Sequence, residues 1–222
     1  MAIQNFDQLN NKAIKWYDKM EIPQVEKKRR SDLAMEFCEI IVMLFALVEG
    51  NHKPENCKEF AEERLRIIAN KYVGKNNLAY VNDWSKKEAD RIVDVTFKHM
   101  DDEQPEDDEN SAFEFPELGI RISKDEYWTS QERGLLVGIE CATITANFDD
   151  LSRALDSGKT RKTWVTEADD KVRKTHEEVH GQELPINEYF LVGNSYMLFP
   201  GDMSRDAEEK EISNCRCHIE YF

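Results

Sequence analysis

The residues with the clearest potential for chemistry lie in the last quarter of the 222-residue chain. Cys215 and Cys217 are separated by one residue, and His176 and His180 are separated by three. Thiolates and imidazoles are ligands that zinc prefers, and a tetrahedral site takes four of them. If the histidines share one face of a helix and the cysteines one side of a strand, all four side chains can converge. The spacing therefore makes these residues a candidate structural zinc site.

Two other interpretations of the same segment stay open. Polar side chains could instead form a network that pins loops to a small sheet, with the thiols packed beneath it: Asp169, Arg173, His176, Asp202 and Asn214. Alternatively, Cys215 or Cys217 beside His176, with Asp202 orienting the imidazole, would follow the logic of a thiol hydrolase. Because no oxyanion hole or substrate cleft is recognisable in the sequence, we expect no enzymatic activity.

The charge of the chain limits its partners. It carries 45 acidic and 30 basic residues, for a formal net charge of −15. Binding to DNA depends largely on Lys and Arg side chains that neutralise phosphates, so the composition argues against a sequence-specific nucleic-acid binder. The most apolar run, residues 37–48, contains Glu39 and is too short to span a bilayer. We therefore expect protein partners and no membrane association.

An acidic segment divides the chain. Seven of the nine residues from Asp101 to Glu109 are acidic, and one is proline. Such a run repels itself and buries no apolar surface, so residues 101–117 are predicted to form a linker or loop. A functional alternative is an acidic tether that docks on a basic partner or mimics DNA.

The residues before the linker have helical periodicity. Apolar side chains recur at three- and four-residue spacing from Leu33 to Val48, and Gly50 follows as a stop signal. Similar patterns predict helices over 54–72 and 78–100 and a short leading helix over 5–20. Residues 1–100 should therefore form a helical bundle or arm.

The residues after the linker have a mixed pattern. A long helix is predicted from Ser130 to Asp156, followed by a strand near 162–166 and a helix over 166–180 that begins in a capping-box-like sequence. Short extended pieces and a final strand over 215–222 complete the segment. The predicted fold class is α+β and predominantly α-helical, with a helical N-terminal region and a small mixed C-terminal domain, residues 118–222, that contains a short sheet.

The order of motifs in this C-terminal domain resembles that of a known family. Residues 160–222 contain, in sequence, Lys162, Trp164, Asp169, Val172, Arg173, His176, Gly181, Pro200, Gly201, Asp202, Asn214, Cys215 and Cys217. Each motif alone is weak, but their order and spacing are similar to the C-terminal domain of the phage Mu F-like minor head proteins, the head-morphogenesis family. The family pattern includes His176 and the two cysteines but not His180.

The resemblance implies a structural role. Such a protein would be a minor capsid component of a tailed phage or prophage that associates with the portal protein, and with scaffold or major capsid protein, during head assembly. It would lie in the bacterial cytoplasm during assembly and afterwards in the virion head. No cofactor is expected apart from the candidate structural zinc ion of His176, His180, Cys215 and Cys217. The alternative is a thiol- or zinc-dependent enzyme or toxin-like effector built on the same domain.

Overall fold

The computed structural model describes residues 5–74, 77–101, 112–167 and 169–222. It confirms a predominantly helical α+β fold. The helices are α1 (Phe6–Asp18), α2 (Gln24–Glu49), α3 (Pro54–Tyr72), α4 (Leu78–Asp101), α5 (Lys124–Tyr127), α6 (Gln131–Asp156), α7 (Lys174–Glu177) and α8 (Glu209–Ile212). None of the helices in these ranges is long and apolar enough to span a lipid bilayer.

Helices α2 and α6 form the centre of the molecule, and α2 also packs against α1 and α3. Two glycines of α6 let the helices approach closely. A Cβ atom at Gly138 would lie 2.5 Å from the carbonyl oxygen of Ala34, and one at Gly134 would lie 2.8 Å from Cγ2 of Val42. Because α6 belongs to the predicted C-terminal domain and α2 to the predicted bundle, the hydrophobic core of the described residues continues across both regions.

The strands of the described residues form three small antiparallel sheets. The first pairs β1 (Ala112–Phe115) with β2 (Ile120–Ser123), and a second two-stranded sheet pairs β5 (Phe190–Val192) with β6 (Ser195–Met197). In the three-stranded sheet, β3 (Arg161–Val165) lies between β4 (Glu183–Pro185) and β7 (His218–Tyr221). The indole of Trp164 on β3 is fully buried, so this sheet packs directly on the core.

Most of the predicted linker, residues 102–111, lies outside the described residues. Its C-terminal part is ordered, since Ala112–Phe115 is strand β1 and Pro116–Leu118 forms a 3-10 turn. The long helix predicted after it is confirmed, and Ser130 caps it by accepting a hydrogen bond from the Arg133 N–H at 3.1 Å.

The predicted helix over 166–180 is wrong, because only Lys174–Glu177 is helical. The Asp169 carboxylate accepts a hydrogen bond from the Lys171 N–H at 3.1 Å and pairs with Arg216 at 2.7 Å. Arg173 is extended, with φ −64° and ψ 143°. These side-chain contacts replace the helical hydrogen bonds that the capping-box-like sequence suggests. The final strand is also shorter than predicted, since it begins at His218 and leaves both cysteines in the preceding loop.

Candidate metal centre

Three buried side chains converge where α7 meets the segment before β7. His176, Cys215 and Cys217 are 1%, 6% and 4% exposed. The Nδ1 atom of His176 lies 3.4 Å from Sγ of Cys217 and 3.5 Å from Sγ of Cys215. All three potential ligand atoms lie within 4.8 Å of one another. The group could hold a metal ion.

The three-stranded sheet positions both sides of this group. Val165 on β3 pairs with His218 on β7, which fixes the residue directly after Cys217. On the other side, the N–H of Gly181 donates to the carbonyl of Trp164 at 2.8 Å, and the positive φ of Gly181, 73°, lets the chain turn there after α7. The Trp164 ring then packs edge-on against the His176 ring, with centroids 5.7 Å apart.

A buried carboxylate faces the other nitrogen of the imidazole. Glu211 Oε2 on α8 lies 3.2 Å from Nε2 of His176, and it accepts a hydrogen bond from the Thr175 hydroxyl at 2.7 Å. A side chain at Gly193 would displace this carboxylate, because its Cβ would be 2.7 Å from the second oxygen of Glu211. The negative charge favours the proton on Nε2 and so leaves the Nδ1 lone pair directed at the sulfurs.

The pKa values of the group favour a thiolate at Cys215 beside a protonated thiol at Cys217. A hydrogen bond from Cys217 lowers the pKa of the Cys215 thiol well below its usual range, although burial opposes the shift, and the same pairing raises the pKa of Cys217. Burial alone would lower the pKa of His176, but its contacts with Cys215 raise it. The cluster thus offers thiolate and imidazole donors in a buried site, which are the ligands that zinc prefers.

His180 does not join the other three predicted ligands. It is exposed, and its Nδ1 accepts a hydrogen bond from the Thr166 N–H at 3.1 Å. The two histidines do not share a helix face because α7 ends at Glu177. The residues from His176 to His180 spell the HExxH sequence of zinc proteases, which requires both histidines on one helix face, so the structure excludes that site.

The predicted polar network also divides into separate contacts. Asp169 pairs with Arg216, and Arg173 donates to the carbonyl of Ser213. Asn214 lies on the surface with a left-handed φ of 55°.

Asp202 does not orient His176. Its carboxylate accepts hydrogen bonds from the N–H groups of Leu198 and Ser204 at 2.8 and 2.9 Å. Glu211 supplies the carboxylate near the imidazole instead. No spacing in the sequence pointed to Glu211, which lies 35 residues from His176 in a four-residue helix.

Lys162 and the turn at Pro200 and Gly201, which also belong to the motif, hold the C-terminal segment together and against α6. The ammonium group of Lys162, fully buried, donates to the carbonyl of Leu198 at 2.8 Å, and its Nζ lies 5.1 Å from the centre of the Phe190 ring. The turn that follows docks on α6, where the Asn147 amide donates to the carbonyl of Pro200 at 2.9 Å. Gly201, with φ 87°, has no room for a side chain because a Cβ would lie 2.5 Å from Ile144.

Comparisons of the chain with known protein families, with curated proteins and with solved structures find no match.

Proposed function

We propose that residues 160–222 form a zinc-stapled structural module in which His176, Cys215 and Cys217 hold the ion. The distance between the donor atoms carries the proposal. Tetrahedral zinc, with Zn–S of about 2.3 Å and Zn–N of about 2.0 Å, places nitrogen and sulfur donors about 3.5 Å apart. The distances from His176 Nδ1 to the two sulfurs, 3.4 and 3.5 Å, match this value.

A water molecule fits the fourth coordination position. A small cavity of about 20 Å³ adjoins the three side chains, and about 10–15 Å³ is enough to hold one water. The carboxylate of Glu211 lies beside the Nε2 atom of His176, the nitrogen that would not bind the ion, as outer-shell carboxylates do for zinc-binding histidines. The ion would therefore join α7 to the loop before β7 and stabilise both, since neither contains a long element of its own.

The test is the metal content of the full chain. Purified protein should contain one zinc ion per chain, and cobalt substitution should give the thiolate-to-metal absorption of a site with two sulfur ligands. Cys217→Ser and His176→Ala should lose the ion. His180→Ala and Cys57→Ser are matched controls that should retain it. A metal-free protein with intact thiols, or loss of the ion in His180→Ala, would contradict the proposal.

We propose further that the module serves in phage head assembly as a minor capsid protein associated with the portal. The order of motifs that resembles the Mu F-like family supports this role. The structural contacts of the motif residues also support it. Lys162 and Gly181 form hydrogen bonds between segments of the module, and Gly201 packs closely against Ile144.

Co-expression with the portal protein of the same genome, followed by size-exclusion chromatography with mass detection, tests the assembly role. We expect co-elution at a defined ratio. A monomer that elutes independently of the portal would contradict it.

A thiol-dependent enzyme is the second candidate, because Glu211, His176 and Cys215 are arranged as a carboxylate, an imidazole and a thiol of lowered pKa. Alkylation by iodoacetamide separates the two candidates. A zinc site predicts that Cys215 reacts only after chelation, whereas a nucleophile predicts rapid, selective reaction before it.

A further inference from the structure

A larger cavity beside the metal centre carries a charge opposite to that of the chain. It has a volume of about 310 Å³ and lies between α1, the 3-10 turn after β1 and the segments that contain Arg173 and Arg216. Its charged lining consists of Lys19, Lys171, Arg173, Arg216, Glu117 and Asp169. Four cations and two carboxylates leave a local excess of two positive charges, within a chain of net charge −15.

Two of the four cations have no carboxylate partner among the described residues. Arg216 pairs with Asp169 at 2.7 Å, and Lys171 pairs with Glu117 at 3.0 Å. Lys19 instead donates to the backbone carbonyl of Glu117 at 3.5 Å. Arg173 likewise donates to a backbone carbonyl, that of Ser213. Neither side chain therefore forms an ion pair with a described residue, and Lys19 interacts with the Glu117 carboxylate only over a longer distance.

The donors in this cavity suit a phosphate group. A guanidinium group presents donors in a planar fork that matches phosphate oxygens, and ammonium groups add charge without a fixed geometry. Arg216 bonds Asp169 through Nη2, and its guanidinium lies 6.0 Å from the centre of the Trp16 ring. The exposed Asn214 amide, another lining group, has no hydrogen-bond partner in the described part of the chain.

We propose that this cavity binds a small phosphate monoester, with the phosphate among Lys19, Arg173 and Arg216 and the esterified group against Trp16. The volume is at the lower end of the range of about 300–1,000 Å³ typical of small-molecule sites. The Trp16 side chain also lines the cavity and provides an apolar wall. The site does not require the metal, because its charged groups are not the proposed zinc ligands.

Calorimetric titration of the full chain with inorganic phosphate and with phenyl phosphate tests the site. We expect saturable 1:1 binding of both probes, tighter for phenyl phosphate and weaker at high salt. Lys19→Met should weaken binding by about tenfold, the usual effect of losing one charge-assisted hydrogen bond. Its side chain lies on the surface, so the substitution should not unfold the protein.

Arg121→Gln is the matched control, because Arg121 is an exposed arginine that does not line the cavity. It forms an ion pair with Glu114 at 2.9 Å. The variant should bind phosphate like the wild type. Absence of saturable binding at millimolar phosphate would overturn the proposal, as would equal weakening by Arg121→Gln. Equal affinity for the two probes would overturn the monoester assignment.

Zinc content is measured on the same samples, so that failure of the metal site and failure of the phosphate site can be told apart. Zinc retained without phosphate binding would overturn the phosphate site alone. Phosphate bound through the metal would be insensitive to Lys19→Met, and that outcome would also overturn it.

Discussion

The helical region and the C-terminal segment are ordered by different interactions. Helices α2, α3, α4 and α6 have 19 to 26 residues, and most of their buried side chains are apolar. Within residues 161–222, the longest described element is β3, with five residues. Elements this short have little stability of their own, so they depend on tertiary contacts. Here those contacts combine buried apolar side chains such as Trp164 and Phe190 with buried polar groups such as Lys162, His176 and Asp202.

The two regions should therefore fail in different ways. Close packing is the sensitive property of the helical region, because its helices touch through backbone atoms at Gly138. Satisfaction of buried polar and metal-binding groups is the sensitive property of the C-terminal segment.

The largest effect is expected from Gly138→Val in the helical region. The Cβ would lie 2.5 Å from the Ala34 carbonyl oxygen and 2.8 Å from the Cys38 nitrogen, both of which belong to the backbone of α2. Because backbone atoms cannot rotate away, α2 and α6 must separate, and we expect a loss of about 3 kcal/mol or more. Urea denaturation followed by circular dichroism measures the change.

Gly74→Ala is the control, because a Cβ at Gly74 meets no atom within 4 Å. Its stability should stay within about 0.5 kcal/mol of the wild type. A tolerated Gly138→Val would show that the helix contact is less rigid than the structure implies.

Removal of the proposed zinc ion should give the next largest effect, confined to the C-terminal segment. An ion present at a hundred times its dissociation constant stabilises the folded state by about 2.7 kcal/mol. After chelation, amide hydrogen exchange should accelerate around α7, α8 and the loop with Cys215 and Cys217, while α2 and α6 stay protected. Uniform acceleration over the whole chain would contradict the division between the regions.

The same division explains which elements could be predicted from sequence. Helix α3 was predicted with both ends correct, because Pro54 marks its start and apolar spacing continues to Tyr72. Local signals were insufficient for α7. Asp169 pairs with Arg216, which lies 47 residues further along the chain, and His176 contacts Glu211, which lies 35 residues further along. Such long-range polar contacts leave no periodic pattern, so the cysteines and His176 were identified from residue type and local spacing, whereas Glu211 was missed.

One buried charge in each region should give opposite pH dependences. In the helical region, burial raises the pKa of the Glu140 carboxyl to about 7, although Arg91 opposes the shift. The folded state therefore binds the extra proton, and stability should fall as pH rises from about 4.5 to 7. Glu140→Gln should remove this fall. Denaturation midpoints across that range measure it, and an unchanged slope in the variant would contradict it.

The substitution of Lys162 should have the smallest effect at neutral pH. Around this residue the dependence of stability on pH should have the opposite sign. Burial lowers the pKa of its ammonium group from 10.5 to about 8, so the unfolded state holds the proton more tightly than the folded state. Stability should consequently rise as pH increases from about 8 to 10.5. Lys162→Met loses the hydrogen bond to Leu198 but also removes a charge that is costly to bury, and these opposing effects nearly cancel. We therefore expect a change below about 1 kcal/mol at pH 7 and no rise at high pH. A variant that keeps the alkaline rise would assign that rise to another group, and the buried lysine would then not distinguish the C-terminal segment from the helices.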